Sequence, residues 1–529
     1  MKRPHLSSAW LSSGMTFRWC LLAALALLVV SVRGGYAADE FQDLVNQIPR
    51  SANAVVLLNM EKAKASPLGV KEGWKEKVEK AFEAGLVRVP PQATRFVLAS
   101  QIDFEFKEPL WEAAVIDLNE GLSMEQFAQS RGGTPDKVEG LSALARPNDT
   151  YVVQLEPQRL AAMGPGNRQA VVRWIREVRK PSPPPLSPYL QRAAVYSDEA
   201  GSEIIMALDL EGVLSFERVG KYLKAHEERL HTWQAKDESP ASLVEVAKVL
   251  SNIQGARIGV RIGEPPSGKI AIDLSADASS LSSFAKPLLL QVLSDSGALV
   301  NDFQSWTVQV KGSEIALAGK LSSSGLRRLL SVIDSPLSSD MAAATPGVSP
   351  GDLPETRAKK SREYFRTVVG MADDLKDDMK TAKNLASTQL FFDKYAKRIE
   401  RMPILGVDEE LLTYSAFVAN ALRQATGSVK RMGIQSGVRE AQITGGDVYA
   451  GDYGYEGYRY GAYGPYAVHG AYGGYNPVAE IKAVGAQRRV VRAEEKAAMG
   501  TDVQQLRQAI ITATTDIRRK MTQKYQVEF

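Results

Sequence analysis

Residues 258–274 read IGVRIGEPPSGKIAIDL, and this stretch indicates the fold class. Apolar residues occupy alternate positions from 258 to 262 and again from 270 to 274, which is the period of a strand with one side in a core. The Pro265-Pro266-Ser267-Gly268 segment between the two runs is typical of a turn. The stretch therefore predicts a β-hairpin, and a hairpin pairs its strands antiparallel.

A similar pattern occurs earlier in the chain and predicts a tandem duplication. Residues 55–61 match residues 205–211 in pattern, and Ile116-Asp117-Leu118 matches Ile272-Asp273-Leu274. Each segment reads as strand, helix, hairpin, helix, hairpin and helix. We therefore expect an α+β fold with two tandem related domains, antiparallel hairpins and helices that cover one face of the sheet.

Changes in composition predict the other boundaries. Stretches rich in proline are typical of linkers, and a Tyr/Gly-rich tract interrupts a helical pattern near the C-terminus. The predicted segments are a signal peptide (1–37), α+β copy 1 (38–180), a Pro-rich linker (181–188), α+β copy 2 (189–335), a disordered linker (336–354), a helical region (355–444), the disordered Tyr/Gly-rich tract (445–475) and a C-terminal helix (476–529).

The N-terminus has the layout of a secretory signal peptide. An apolar run at 20–32 follows basic residues, and Gly35-Tyr36-Ala37 places small residues at a cleavage site. The run is shorter than the roughly 20 residues that span a bilayer. We expect an exported protein of the periplasm or cell surface. The alternative is an uncleaved N-terminal anchor, through which alone the protein would contact a membrane.

Overall composition excludes several classes of protein. Apolar residues make up 44% of the 529 residues and charged residues 24%, so wholesale disorder and collagen-like folds are excluded. Residues 1–37 hold four basic residues and no acidic one, which leaves 61 of each sign in the remainder. This balance gives no electrostatic reason to expect nucleic acid as a partner. Cys20 is the single cysteine and lies in the signal segment, so disulfides and cysteine metal sites are not expected.

From residue 355 onward the apolar pattern becomes helical. Near the C-terminus, apolar side chains recur every three or four residues, as in a coiled coil. The residues of this helical seam are Met499, Val503, Leu506, Ile510 and Ile517. We expect the seam to pack against the helical run at 364–399, or to mediate self-association, because a lone helix with such a stripe is only marginally stable.

The Tyr/Gly-rich tract has too few aliphatic residues to form a core. Ten of its 31 residues are glycine and nine are tyrosine, half of the 18 tyrosines in the chain. Exposed tyrosine rings can stack on sugars, on other rings or on arginine, so the tract is a candidate interaction site; a tolerated linker is the alternative. Its tyrosines are Tyr449, Tyr453, Tyr455, Tyr458, Tyr460, Tyr463, Tyr466, Tyr472 and Tyr475.

Two segments of the helical region resemble known sequences. Arg398-Ile399-Glu400-Arg401-Met402-Pro403-Ile404-Leu405-Gly406-Val407-Asp408 and Ile517-Arg518-Arg519-Lys520-Met521-Thr522-Gln523-Lys524-Tyr525 are similar to segments of exported proteins of planctomycete-type bacteria. Those proteins carry no assigned activity. The resemblance therefore implies a kind of source organism and no chemistry.

The sequence contains no complete catalytic motif. Residues 263–270 approach a phosphate-binding loop, but Ile270 stands where Ser or Thr is required, and the segment joins two strands. The acidic run Asp373–Asp378 resembles a magnesium-binding motif, but lysines at helical spacing favour a solvated charged face. We expect no cofactor, no metal and no enzymatic activity.

The sequence therefore predicts an exported structural or binding protein of the cell envelope. Its partner would be an envelope protein or polysaccharide. The alternative is a periplasmic hydrolase or ligand-binding protein with a pocket between the two α+β copies, where duplicated domains often place one.

Overall fold

The computed structural model describes residues 41–83, 89–104, 108–146, 149–180, 186–233, 242–333, 354–402, 404, 406–442 and 477–529. The predicted signal peptide, the Tyr/Gly-rich tract and most of the 336–354 linker lie outside these residues. The described chain combines α-helices with antiparallel β-sheet and ends in a long helix.

Twelve strands in the described ranges form a single antiparallel sheet, in the order β11-β12-β10-β9-β8-β1-β2-β3-β7-β6-β5-β4. The strands are β1 (Ala54–Asn59), β2 (Ala93–Asp103), β3 (Glu108–Leu118), β4 (Thr134–Val138), β5 (Leu141–Arg146), β6 (Thr150–Glu156), β7 (Arg159–Gly164), β8 (Ile204–Asp209), β9 (Ile253–Arg261), β10 (Ser267–Leu274), β11 (Thr307–Lys311) and β12 (Glu314–Lys320). The stretch at 258–274 forms the predicted hairpin of β9 and β10.

Helices connect and flank these strands. They are α1 (Gln42–Val45), α2 (Met60–Ala65), α3 (Pro67–Lys71), α4 (Trp74–Glu83), α5 (Met124–Arg131), α6 (Arg168–Val178), α7 (Pro188–Ala200), α8 (Phe216–Ala225), α9 (Glu227–Trp233), α10 (Leu243–Leu250), α11 (Ala285–Asp295), α12 (Ser323–Ser331), α13 (Pro354–Leu375), α14 (Ala382–Glu400), α15 (Glu409–Gln442) and α16 (Pro477–Tyr525). Among the described residues, no helix is both long enough and apolar enough to cross a membrane.

The two halves of the sheet meet at the antiparallel pair of β1 and β8, with Leu57 opposite Ile205. Residues 54–164 supply the strands on one side of this pair, and residues 204–320 supply those on the other. Outward from this pair, one side contains β1, β2, β3, β7 and β6, and the other contains β8, β9, β10, β12 and β11. The strand order is the same on both sides, because the last strand of each half lies beside the third and the strand before it lies outside. Strands β5 and β4 extend only the first side. The two predicted segments therefore share one continuous sheet.

Helices cover both faces of the sheet rather than one. On the face that we call face A, Val97 and Ala99 of β2 pack with residues of α1, α6 and α7. On the opposite face B, the alternate residues Phe96 and Leu98 pack in a separate cluster with Phe127 of α5. Successive side chains of a strand point to opposite faces of the sheet, and in β2 the side chains on both face A and face B are apolar.

Trp306 anchors the outer part of face B in the second half. Its ring is buried and lies directly over Gly268 of β10 and Gly319 of β12, where an added Cβ would overlap the indole. The indole Nε1 donates a hydrogen bond of 2.8 Å to the carbonyl of Lys320. Two glycines on neighbouring strands thus make room for a large side chain against the sheet.

Helices α13–α16 pack together and onto face B of the second half. Their buried residues, among them Tyr364, Phe392 and Val418, form one apolar cluster with Val260 of β9 and Leu317 of β12. The predicted run at 364–399 is divided into α13 and α14 by a short 3₁₀ turn at Asp378–Lys380.

Helices α15 and α16 are antiparallel neighbours. The hydroxyl of Tyr525, at the end of α16, donates to Asp408 just before α15, at 2.7 Å. Near their other ends, Arg439 of α15 forms ion pairs of 2.7 Å with Glu494 and Glu495 of α16. The chain therefore leaves α15 and returns through α16 at the same end of this helical pair.

A buried ion pair fixes the helical region to the second half of the sheet. The guanidinium of Arg328, on α12, lies 2.5 Å from the carboxylate of Asp378, in the turn between α13 and α14. Both side chains are almost fully buried, Asp378 being 1% exposed. Beside them, Arg327 forms two hydrogen bonds with Asp374, at 2.7 and 2.5 Å. The interpretation of Asp373–Asp378 as a solvated face is therefore wrong for Asp374 and Asp378.

Candidate functional site

The helical seam lies inside the protein. Met499, Val503, Ile510 and Ile517 are buried and Leu506 is partly buried, all in the cluster formed with α13–α15. The seam is thus occupied by contacts within the chain. The tyrosines of the Tyr/Gly-rich tract lie outside the described residues.

A cleft with a volume of about 940 Å³ opens on face A of the first half. It lies between α6, the start of β3, the end of β7 and the turn after α1. We call it the indole–arginine cleft; its lining residues are Pro49, Arg50, Ser51, Leu110, Trp111, Met163, Pro165, Asn167, Ala170, Arg173, Trp174, Arg176, Glu177 and Lys180. It is confined to the first half, so it is not a pocket between the predicted copies.

Helix α6 supplies most of the polar wall. Asn167 caps the helix by accepting a hydrogen bond of 3.1 Å from the backbone N–H of Ala170. From there, a three-four spacing places Ala170, Arg173 and Glu177 along the cleft. The same helix buries Val171 and Ile175 in the face A core. The amphipathic pattern of α6 therefore fixes which side chains reach the cleft.

Cations outnumber acids in this lining. Arg50, Arg173, Arg176 and Lys180 line it together with a single acid, Glu177, and Arg176 is also ion-paired with Glu139, at 2.8 Å, outside this lining. Burial lowers the pKa of the Arg50 guanidinium, and its Nε has no hydrogen-bond partner among the described residues. A desolvated cation without a full set of partners is stabilised by an incoming anion. The cleft is thus suited to negatively charged ligands.

The partly exposed indole of Trp111 and an exposed leucine form the apolar wall; Trp174 also lines the cleft but is only 3% exposed. The Nε1 of Trp111 donates to Gln101 at 2.9 Å, and the Nε1 of Trp174 donates to the carbonyl of Gln47 at 2.8 Å. These hydrogen bonds hold both rings in fixed orientations. Leu110 is 58% exposed. The wall offers a flat apolar surface to a ligand that also carries charge.

A smaller cleft of about 380 Å³ lies at the opposite end of β3. At its base, Asp117 accepts hydrogen bonds from Arg95 at 2.8 Å and from Arg159 at 2.6 Å. Asp117 is buried and both partners are cations, so its carboxylate is fully engaged and not positioned as a general base. Glu61 and Glu156 also line the cleft.

The described residues contain no cluster of metal ligands, and the polar cluster at His226 consists of paired groups. They include no group of three or more His, Cys, Asp or Glu placed to hold a metal ion. His226 lies at the break between α8 and α9, with Nε2 3.3 Å from Asp295. Tyr222 donates to the same carboxylate at 2.7 Å. This is a paired polar cluster at the surface, without a nucleophile in contact with the histidine.

The lining of the indole–arginine cleft was not predicted from sequence. Its residues come from three separated segments, 49–51, 110–111 and 163–180, which only the sheet brings together. One signal was available: Arg173, Arg176 and Lys180 recur at three-four spacing, which places three cations along one side of a helix.

Comparison with known proteins gives no family. No family model matches the chain, and no curated protein matches it. Among solved structures, crystal form III of TP0453 matches at 12% identity and a TM-score of 0.31, covering 55% of this chain and 98% of that one. Crystal form I of TP0453 matches at 13% identity with the same TM-score, covering 55% and 97%. A similarity at this level transfers no property to the chain.

Proposed function

We propose that the chain is an exported, non-catalytic protein of the cell envelope that binds an acidic polysaccharide in the indole–arginine cleft. Export is supported by the N-terminal pattern of basic residues, apolar run and small-residue site. The balanced charge of the remaining chain argues against nucleic acid as a partner. The periplasm and the cell surface are both compatible with this role.

The excess of cations beside the fixed indole of Trp111 is the observation that carries the proposal. Sugar rings present C–H faces that pack on indoles such as Trp111, and their carboxylates form hydrogen-bonded ion pairs with guanidinium groups such as that of Arg173. A cleft of about 940 Å³ has room for more than one sugar unit. An acidic peptide would satisfy the charges but make less use of the flat apolar wall.

We also infer that segments 38–180 and 189–335 are divergent copies. The equal strand order on the two sides of the β1–β8 pair supports this inference. Helix α6 follows β7 on face A, whereas α12 follows β12 on face B. The cleft is thus a specialisation of the first copy.

We infer a supporting role for the Tyr/Gly-rich tract. The chain leaves α15 at Gln442 and enters α16 at Pro477, so the tract joins two antiparallel helices, which form its base. Tyrosines presented from such a base would add contacts to a polysaccharide or protein of the envelope. Replacing 447–475 by a Gly/Ser linker of equal length should leave folding intact and weaken attachment to native envelope material.

Titration of the purified chain with polygalacturonate, an uncharged glucan and polyglutamate tests the proposed ligand. Arg173→Glu with Lys180→Glu should weaken binding of polygalacturonate by at least about tenfold without changing the unfolding midpoint. Arg218→Glu with Lys311→Glu makes the same change of charge at exposed sites of the second half and is the matched control. An equal loss of affinity in both double variants would show that only the net charge matters. Tighter binding of polyglutamate or of the glucan than of polygalacturonate would reject an acidic polysaccharide as the ligand.

A further inference from the structure

The sheet ends at strand β4 on one side and at strand β11 on the other. The last strand of an antiparallel sheet has backbone N–H and C=O groups that lack a partner strand and can pair with another chain. Along such a strand, the backbone groups of successive residues point alternately toward the neighbouring strand and away from it. The two ends of this sheet differ in how the groups that point away are protected.

The β4 end is closed to another strand. A two-residue turn joins Val138 to Leu141, so these two residues exchange backbone hydrogen bonds. Alternation from this pair directs the backbone groups of Pro135 and Lys137 outward. Proline has no N–H to donate, and the carbonyl of Lys137 already accepts a hydrogen bond of 2.8 Å from Arg168 of α6. An incoming strand would therefore lose hydrogen bonds at both positions.

The β11 end has the same geometry but lacks this protection. A two-residue turn joins Lys311 to Glu314. By the same alternation, the backbone groups of Val308 and Val310 point outward. Counted back from the turn, Val308 occupies the position that Pro135 has in β4, and it keeps its N–H. No strand in the described part of the chain pairs with this side of β11.

The first half shows that the fold accepts a strand at this place. Outward from the β1–β8 pair, β6 is the fifth strand of its half, as β11 is of the other, and β5 pairs antiparallel with the outer side of β6. The described residues of the second half supply no equivalent of β5. A strand from another molecule would complete the second half in the way that β5 extends the first.

The sequence of β11 is complementary to itself. When two antiparallel copies of the strand are centred on Gln309, Val308 lies opposite Val310 of the second copy. Both valines point outward, so each outward N–H meets an outward carbonyl of the second copy. Thr307 then lies opposite Lys311 of the second copy, so no like charges meet. On face B the valines pack on the core but stay partly exposed, and the valines of the second copy would cover them further.

We propose that two copies of the chain associate through their β11 edges and form one continuous sheet. The pairing has twofold symmetry, with Gln309 of one copy opposite Gln309 of the other. Because the β4 end is closed, the assembly stops at the dimer and does not extend into a fibre. Five residues from each copy form a contact smaller than the roughly 1,200 Å² typical of stable interfaces, so the dimer should be weak and reversible. The surface is distinct from the helical seam, which is buried within the chain.

Sedimentation velocity of the purified chain, at concentrations up to about 0.5 mM, tests the proposal. A reversible equilibrium between monomer and dimer is expected. Val308→Pro gives β11 the proline of β4 and removes an inter-chain donor from each copy, so it should raise the dissociation constant at least about tenfold. Val308→Thr keeps the branched shape and the N–H; it is the matched control and should dimerise like the parent. A chain that stays monomeric at every concentration, assembles beyond the dimer, or dimerises unchanged with Val308→Pro would overturn the proposal.

Disulfide cross-linking tests the register, and it does not require that the proline variant folds. In a chain with Cys20→Ser, which removes the single native cysteine, Gln309→Cys should form a cross-linked dimer, because opposed Cα atoms in a non-hydrogen-bonded pair lie about 4.5 Å apart. Thr307→Cys and Lys311→Cys should cross-link with each other when mixed, and neither should cross-link alone. Absence of the Gln309→Cys product at concentrations where the parent is dimeric, or efficient self-linking of Thr307→Cys, would refute the assignment.

Discussion

Replacing Arg328 by methionine tests whether its buried ion pair holds the helical region on the sheet. The substitution keeps an unbranched side chain of similar length and removes the charge, leaving the Asp378 carboxylate in a site that is 1% exposed. The polar group that remains near it is the amide of Asn301, at 3.4 Å. Removing one partner of a buried pair in this way costs about 3–5 kcal/mol.

The loss should depend on pH, with a sign fixed by the carboxyl group. Burial raises the pKa of Asp378, and the charge of Arg328 opposes that rise. Without Arg328 the pKa rises further, so the folded variant binds a proton more readily than its unfolded chain. Its stability relative to the parent should therefore recover as pH falls through that raised pKa, because the buried carboxyl is then neutral.

Urea unfolding followed by circular dichroism at neutral pH and at about pH 5 measures both effects. Lys376→Met is the control, because its pair with Asp373 is about half exposed at each partner and should contribute no more than about 1 kcal/mol. Arg328→Met combined with Asp378→Leu should cost less than the sum of the two single changes, since no buried charge remains. A cost below about 1 kcal/mol for Arg328→Met, or a cost that is independent of pH, would refute the reasoning.

Three further changes test the packing. Burial raises the pKa of Asp408, but hydrogen bonds, of which that from Lys524 is the strongest, outweigh this effect and leave the pKa lowered. The free energy of unfolding should therefore fall as pH drops through the lowered pKa. In urea titrations at acidic pH, Asp408→Asn should reduce this dependence of stability on pH. Gly255→Ala should cost about 1–3 kcal/mol in thermal unfolding by overpacking against the ring of Tyr189, whereas Gly220→Ala, with open space around it, should be neutral or stabilising. Ile510→Asp together with Leu506→Asp should cost several kcal/mol, measured by urea unfolding, because the seam is packed within the chain.

The elements of the fold were accessible from local patterns. Alternation predicted the hairpin of β9 and β10, and the three-four spacing at 499–517 predicted a helix with one apolar side. Both signals operate within a few residues. No local signal predicts that β1 pairs with β8, because the composition of a fully buried strand does not specify which strand lies at either of its edges.

Long-range partners explain where interpretation of the sequence was wrong. Asp378 follows a run of acids and lysines, which locally favours a solvated surface. Its partner Arg328 lies fifty positions earlier, in a helix of the other structural region. Burial of the pair follows from how α12 meets α13 and α14, and no pattern within either segment encodes it. The indole–arginine cleft was missed for the same reason.

The β1–β8 pair also determines the order in which the sheet can be completed. Strand β1 gains its neighbour β2 early, but its other edge must wait until β2 to β7 and helix α7 have all been synthesised. During that interval the first half presents the bare backbone of a hydrophobic strand, a template for pairing with other chains. In the export that we propose, the N-terminus crosses the membrane first, so the first half would wait for β8 on the far side. Folding there should be slow for a chain of this size and should depend on chaperones that hold the unfinished sheet.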